Sequence, residues 1–317
     1  MAAVVAAPMV GEGQQTAKSA RVGLLASSSL DSARTSIDAF RAELGRLGWH
    51  DGENLRIDAR FADEHYDRLP KFAAELVQLK VDVIFAQATP AIHAAKRATA
   101  TIPIVFETLG DAVSSGTVSN LARPGGNVTG VSGFAPELNG KRLELVRELM
   151  PRANRIALLV NRTNAATAVV LSRAVASAVA MRFVLFVADA PSAAALDRSF
   201  AEIVEQRSEA LILVADPMLF GQRRRIIEFA ARQRLPAIYE YRLFAERGGL
   251  LSYGPDPHDR YRRAAVYVDR ILRGAQAGEL PVEQPTSFEL VVNLRTAKSI
   301  ALTIPPALLL RADQVIE

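Results

Sequence analysis

The chain has 317 residues, half of them apolar and 23% charged, with a formal charge of +4 and no cysteine. That length supports two lobes with separate cores, and the composition is that of an ordinary globular protein. Basic residues are spread along the chain, which argues against a nucleic-acid surface. The absence of cysteine excludes disulfides, thiolate metal sites, cysteine nucleophiles and a lipid-modified cysteine.

Residues 1–20 open with small apolar residues and continue as a polar stretch without periodicity. They are expected to be the end of a secretory signal or a disordered tail. No other run reaches the roughly 18 apolar residues of a membrane span. A strand at Val22–Leu25 ends in Ser27-Ser28-Ser29, where Asp31 or Ser32 can cap a helix that stops at Gly48. Asn54–Phe61 alternates as a half-exposed strand. A helix over Asp67–Lys80, a buried strand Val81–Ala86, a helix opening at Pro90 and a strand Ile104–Phe106 follow. The stretch Ala122–Gly130 is a turn opening into a short strand, and a helix over Pro136–Met150 carries the chain onward.

The pattern then repeats. Arg21-Val22-Gly23-Leu24-Leu25 is answered by Arg155-Ile156-Ala157-Leu158-Leu159. Val83–Ala86 leading to Thr89-Pro90 is answered by Leu211–Ala215 leading to Asp216-Pro217. Ile102-Pro103-Ile104-Val105-Phe106-Glu107 is answered by Leu235-Pro236-Ala237-Ile238-Tyr239-Glu240. Three apolar runs in one order, at nearly one offset, predict two similar doubly wound α/β lobes with parallel sheets. A strand Leu250–Gly254 and an amphipathic helix over Pro257–Arg273 come next. The expected organisation is lobe 1 over 21–133, with 257–280 returning to it, and lobe 2 over 134–256. Residues 281–317 hold a hinge crossover and a C-terminal segment whose lobe stays open. Pro and Gly place the hinges near Val131–Pro136, Gly254–Pro257 and Pro281–Ser287.

Catalytic chemistry finds no candidate. The four histidines show no metal-ligand spacing, there is no G-x-G-x-x-G after the first strand, and no G-x-S-x-G elbow. Gly140-Lys141-Arg142 has Ala135 where a phosphate loop needs its first glycine, so it reads as helix. No catalytic residue, metal or cofactor is therefore expected. What remains is a set of polar residues at strand-to-helix junctions, which parallel α/β folds gather at one edge. In the first half these are Ser28, Ser29, Gln87, Thr89, Pro90, Glu107 and Asp111. In the second they are Asn161, Asn164, Asp216, Tyr239 and Tyr241. Helix amides near Thr89, with Ser28 or Ser29, suit a carboxylate, and Asp216 suits an ammonium or hydroxyl group. Phe134, Phe220, Tyr239, Tyr241 and Phe244 offer stacking surfaces for a planar ligand.

Several stretches resemble the solute-binding proteins of bacterial ABC importers, in the family that includes tryptophan- and tyrosine-binding members. They are Leu121–Gly130 (LARPGGNVTG), Gly140–Leu145 (GKRLEL), Gly248–Pro255 (GGLLSYGP), Leu280–Pro285 (LPVEQP) and Thr303–Asp313 (TIPPALLLRAD). The resemblance runs from Val22 to Glu317 and implies a type I periplasmic-binding fold that closes on its ligand. It implies a periplasmic monomer that carries an amino acid, or an aromatic or branched carboxylate, to ABC permease subunits. Two other classes share such an architecture: the effector-sensing domain of a transcription regulator, and a doubly wound enzyme.

Overall fold

Two sheets, each built on five parallel strands in the same order, organise the computed structural model, which describes residues 19–133 and 135–317. The first lobe comprises β1 (Ala20–Ala26), α1 (Leu30–Arg46), β2 (Leu55–Phe61), α2 (Leu69–Gln78), β3 (Val83–Gln87), α3 (Ala88–Ala98), β4 (Ile104–Glu107) and β5 (Val128–Val131). Its sheet runs β2-β1-β3-β4-β5, all parallel. The second lobe begins with α4 (Ala135–Leu149), β6 (Arg155–Val160), α5 (Thr167–Ala180), β7 (Val184–Asp189), α6 (Leu196–Glu205) and β8 (Ala210–Leu213). It continues through α7 (Pro217–Gly221), α8 (Arg223–Arg232), β9 (Ala237–Tyr239), α9 (Arg242–Glu246) and β10 (Leu251–Gly254). Its strand order, β7-β6-β8-β9-β10, repeats that of the first lobe.

The chain then crosses back. α10 (Pro257–Leu272) packs on the first lobe, where Tyr261, Ala264, Ala265 and Val268 bury against Ile37, Phe40 and Leu44 of α1. Phe40 stacks on Phe85 of β3 at 4.5 Å, and Trp49 donates its indole N–H to Asp269 of α10 at 2.8 Å. Residues 281–283 stay with the first lobe: the Glu283 amide donates to Gly130 O at 3.0 Å and accepts Ser132 N on its carbonyl at 2.8 Å. A third crossing leads to β11 (Glu289–Asn293), α11 (Leu294–Ser299), α12 (Pro306–Leu309) and β12 (Gln314–Ile316). β11 pairs antiparallel with β10, and β12 parallel with β11, so the C-terminal segment extends the second lobe's sheet to seven strands.

Central strands such as β3 (VIFAQ) and β6 (RIALLV) are continuous apolar runs because helices cover both faces of each sheet. In the first lobe one face packs on α1 and α10 and the other on α2 and α3, through Leu76, Ala91, Ile92 and Ala95. The caps follow the sequence signals. Ser29 Oγ accepts the Ser32 amide at the start of α1, and Asp256 accepts the His258 amide at the start of α10. α3 departs from expectation by opening at Ala88 rather than Pro90, with Ala88 at φ +67°. Among the described residues no helix is long and apolar enough to cross a membrane. The signal-like segment 1–18 and Phe134 lie outside the described residues.

Candidate functional site

Parallel strands in both lobes end toward one another, and a cavity of about 460 Å³ lies between them. This is within the roughly 300–1,000 Å³ usual for small-ligand pockets. The first lobe contributes the start of α1, the β3–α3 junction, the loop after β4, and α10; the second contributes the loops after β6, β8 and β9. The lobes touch across this cleft. Tyr66 of the first lobe donates its hydroxyl to Asp216 Oδ2 at 2.9 Å and accepts the Met218 amide at 3.2 Å. Arg260 Nη2 of α10 donates to the hydroxyl of Tyr241, the N-cap of α9, at 3.1 Å. A Cβ added at Gly110 would lie 3.2 Å from that of Ala166, and one at Gly221 would lie 2.7 Å from Glu64 Oε1. The molecule is therefore in a closed arrangement, with the two lobes meeting around one shared cavity.

Of the twelve residues expected from sequence, Ser28, Gln87, Thr89, Glu107, Asn164, Asp216 and Tyr241 line the cavity. Ser29, Pro90, Asp111, Asn161 and Tyr239 do not, each for a local reason. Ser29 is occupied capping α1. Pro90 lies in the first turn of α3, past the lining residues Ala88 and Thr89. Asp111 closes its own turn by accepting the Ser114 amide at 2.5 Å. Tyr239 is stacked on Phe244 at 4.6 Å in the second lobe's core. Asn161 stands behind the wall, where its amide donates to Asp216 Oδ1 at 3.1 Å.

Several lining residues are already engaged by the protein. Gln87 Oε1 accepts the amides of Ser27 and Ser28 at 2.9 and 3.3 Å, tying β3 to the loop after β1. Thr89 and Thr108 share a hydroxyl–hydroxyl contact of 3.0 Å. Asp216 accepts five donors: Asn161 Nδ2 and the amides of Met218 and Leu219 on Oδ1, with Asn164 Nδ2 and the Tyr66 hydroxyl on Oδ2. Burial pushes its carboxyl above the ordinary range, against the pull of these hydrogen bonds. Ala88, beside Thr89, holds a left-handed backbone that costs a non-glycine residue about 1–3 kcal/mol.

Sequence reasoning missed a buried guanidinium in the cleft. Arg260 lines the cavity at 2% exposure, with Nη2 at 3.5 Å from Glu107 Oε2. Its Nε and Nη1, and Oε2 of Glu107, have no hydrogen-bond partner among the described residues. Burial raises the Glu107 carboxyl, while Arg260 and hydrogen bonds from Tyr261 and Gln87 oppose the rise. A signal existed in the sequence: Arg260 falls four residues before Ala264 on the apolar stripe of α10, where a charge has no place unless it is used.

Behind the second-lobe wall lies Glu240, fully buried, with neither carboxylate oxygen hydrogen-bonded among the described residues. Burial pushes it up to about 7, which Arg142 only partly offsets. Arg142 itself spends Nε and Nη2 on Tyr253 O at 3.0 and 2.8 Å. A folded-state pKa above the ordinary 4.5 means the native protein holds this proton more tightly than the unfolded chain. The associated stability is complete below pH 4.5 and is lost as pH rises through about 7, on the order of 3 kcal/mol in all. Urea unfolding at pH 5, 6, 7 and 8 should show this decline, and Glu240→Gln should flatten it. Equal slopes in the two proteins would reject Glu240 as the source.

The profile of the ABC transporter substrate binding protein family matches residues 21–316. A tyrosine-binding protein of Clostridioides difficile (strain R20291) is 26% identical over 272 residues, covering 86% of this chain and 77% of the relative. A crystal structure of a conserved domain protein from Vibrio cholerae O1 biovar El Tor superposes with a TM-score of 0.89 at 28% identity, covering 94% of this chain and all of that one. The ABC domain of a Streptococcus pneumoniae protein in complex with L-Trp superposes with a TM-score of 0.87 at 24% identity, covering 94% and 99%. The architecture is the type I periplasmic-binding fold. With two like lobes closed around one cavity, and a family match from the first strand to the last, this chain belongs to the ABC transporter substrate-binding proteins.

Proposed function

We propose that this protein is an extracytoplasmic, periplasmic receptor that closes on an amino acid and delivers it unchanged to the permease of an ABC importer. The observation that carries the reading is the cavity shared by both lobes and bridged by Tyr66–Asp216 and Arg260–Tyr241. A ligand that touches both walls only in the closed state favours that state by its differential affinity. The tyrosine-binding relative and the L-Trp complex support an aromatic amino acid. Apolar lining from Leu109, Val170, Phe220 and Leu243 provides a surface for such a side chain. In this reading the protein acts as a monomer without a cofactor, and Ser28, Thr89, Asn164 and Tyr241 contact the ligand or its waters. Catalysis is not part of it, because Asp216 is saturated by structural donors and Thr89 is paired with Thr108.

A thermal-shift screen of the twenty amino acids, on protein unfolded and refolded to remove carried ligand, tests the reading. A ligand at 100 times its Kd should add about 2.7 kcal/mol of stability and be recovered chemically intact. If no amino acid shifts the melting temperature, or if one is consumed, the receptor reading fails.

A further inference from the structure

We infer that Arg260 and Glu107 together read both charges of an α-amino acid, the guanidinium taking its carboxylate and the Glu107 carboxylate taking its ammonium. The inference rests on the receptor reading above and assigns the chemistry of its recognition. Arg260 and Glu107 are buried in the same cavity wall, yet their closest approach of 3.5 Å is long for a charge-assisted hydrogen bond, which closes to about 2.7–2.9 Å. Three charged-group atoms, Arg260 Nε and Nη1 and Glu107 Oε2, lack hydrogen-bond partners among the described residues. Buried ionic groups are tolerated when paired and hydrogen-bonded, so this pair is incomplete as it stands.

The ligand that completes it must bring both signs. A plain carboxylate would satisfy Arg260 but set a second negative charge beside Glu107. A plain amine would satisfy Glu107 but face the guanidinium. An α-amino acid carries its carboxylate and ammonium on one carbon, which suits two adjacent groups of opposite charge. Other polar groups of the wall are engaged elsewhere: Asp216 by five donors, Gln87 Oε1 by Ser27 and Ser28, and Thr89 by Thr108. Both reading groups belong to the first lobe, on β4 and α10, whereas the Tyr241 hydroxyl reaches the same guanidinium from the second. The ligand's charged end therefore docks on the first lobe and closure adds the second.

Calorimetry on the refolded protein tests this with L-tryptophan and L-tyrosine, their decarboxylated forms tryptamine and tyramine, and their deaminated forms indole-3-propionate and 3-(4-hydroxyphenyl)propionate. Each truncated probe should bind about 10- to 100-fold more weakly than its amino acid, the size expected for one charged hydrogen-bonding partner. Glu107→Gln should weaken the amino acid by a similar factor yet leave the deaminated acid unchanged or tighter. Arg260→Gln should abolish the advantage of the amino acid over the amine. A deaminated acid that binds the wild type as tightly as its amino acid would overturn the zwitterion assignment and leave the receptor reading standing. Failure of all six probes together with no thermal shift from any amino acid would overturn both; where another amino acid gives the shift, its own amine and deaminated acid decide. If a variant does not fold, as judged by circular dichroism, the wild-type analogue series decides alone.

Discussion

Gly254→Ala should cost at least about 3 kcal/mol of stability, although it adds one methyl group. A Cβ at this position would fall 2.0 Å from Glu240 O, closer than any real contact, and the obstacle is backbone. That carbonyl cannot step aside freely. β9 and β10 are paired at Leu251–Ile238 and Ser252–Tyr239, and Arg142 holds the Tyr253 carbonyl with two N–H groups. The same constraint recurs where the first lobe hands over to the second, since a Cβ at Gly133 would lie 2.2 Å from Leu109 O. Both crossovers thus depend on close backbone approach beside the hinge. Gly274→Ala is the control: it lies at φ +103° with nothing within 4 Å of its Cβ, so it carries only the backbone penalty, roughly 1–2 kcal/mol. Urea unfolding of the two variants measures the contrast. A Gly254→Ala loss no larger than that of Gly274→Ala would show that the strands separate more readily than their packing implies.

Asp216→Asn should cost about 1–3 kcal/mol in stability and loosen the closed state. Were Asp216 only the cap of α7, the change would be nearly silent, because Asn caps helices about as well as Asp. The five donors decide otherwise. An asparagine can keep its oxygen toward Asn161 and the Met218 and Leu219 amides, but its NH₂ then confronts Asn164 Nδ2. Asn164 cannot flip to help, since its own oxygen accepts the Ala166 amide at 3.1 Å. The Tyr66 hydroxyl loses a charged acceptor at the same time, and with it a bond between the lobes. Denaturation of Asp216→Asn, Tyr66→Phe and the double variant should reveal coupling between the two positions. Wild-type stability for Asp216→Asn would reduce the residue to a cap.

Much of this architecture is legible in the sequence because the duplicated runs are continuous apolar strands, the mark of sheets covered on both faces. Arg21–Leu25 and Arg155–Leu159 became β1 and β6, which hold the same place in two sheets with one strand order. The resemblance carried by LARPGGNVTG and GGLLSYGP agrees with the family match over residues 21–316. The site was only half visible, for a physical reason. Polar residues at strand ends serve as caps, turn formers and ties as readily as ligand contacts, and sequence does not separate these roles. Asp111 and Ser29 went to local turns, and Gln87 to its neighbouring loop. Arg260 was hidden among Arg262 and Arg263, which face Asp256, Asp259 and Glu283. Only its place on the buried stripe of α10 distinguished it. The C-terminal strands β11 and β12 lay beyond reach because the antiparallel turn onto β10 breaks the repeat that organises everything before it.

Closure of two lobes on a ligand is the central claim, and small-angle scattering tests it most directly. The protein is first unfolded and refolded to strip carried ligand, then measured alone and at saturation with the amino acid giving the largest thermal shift. Rigid lobes swinging about the crossings near 132–135, 254–257 and 284–288 should lower the radius of gyration, with an unchanged far-ultraviolet circular dichroism spectrum. A radius of gyration that stays the same between the stripped and saturated protein would contradict closure and favour a rigid binding module.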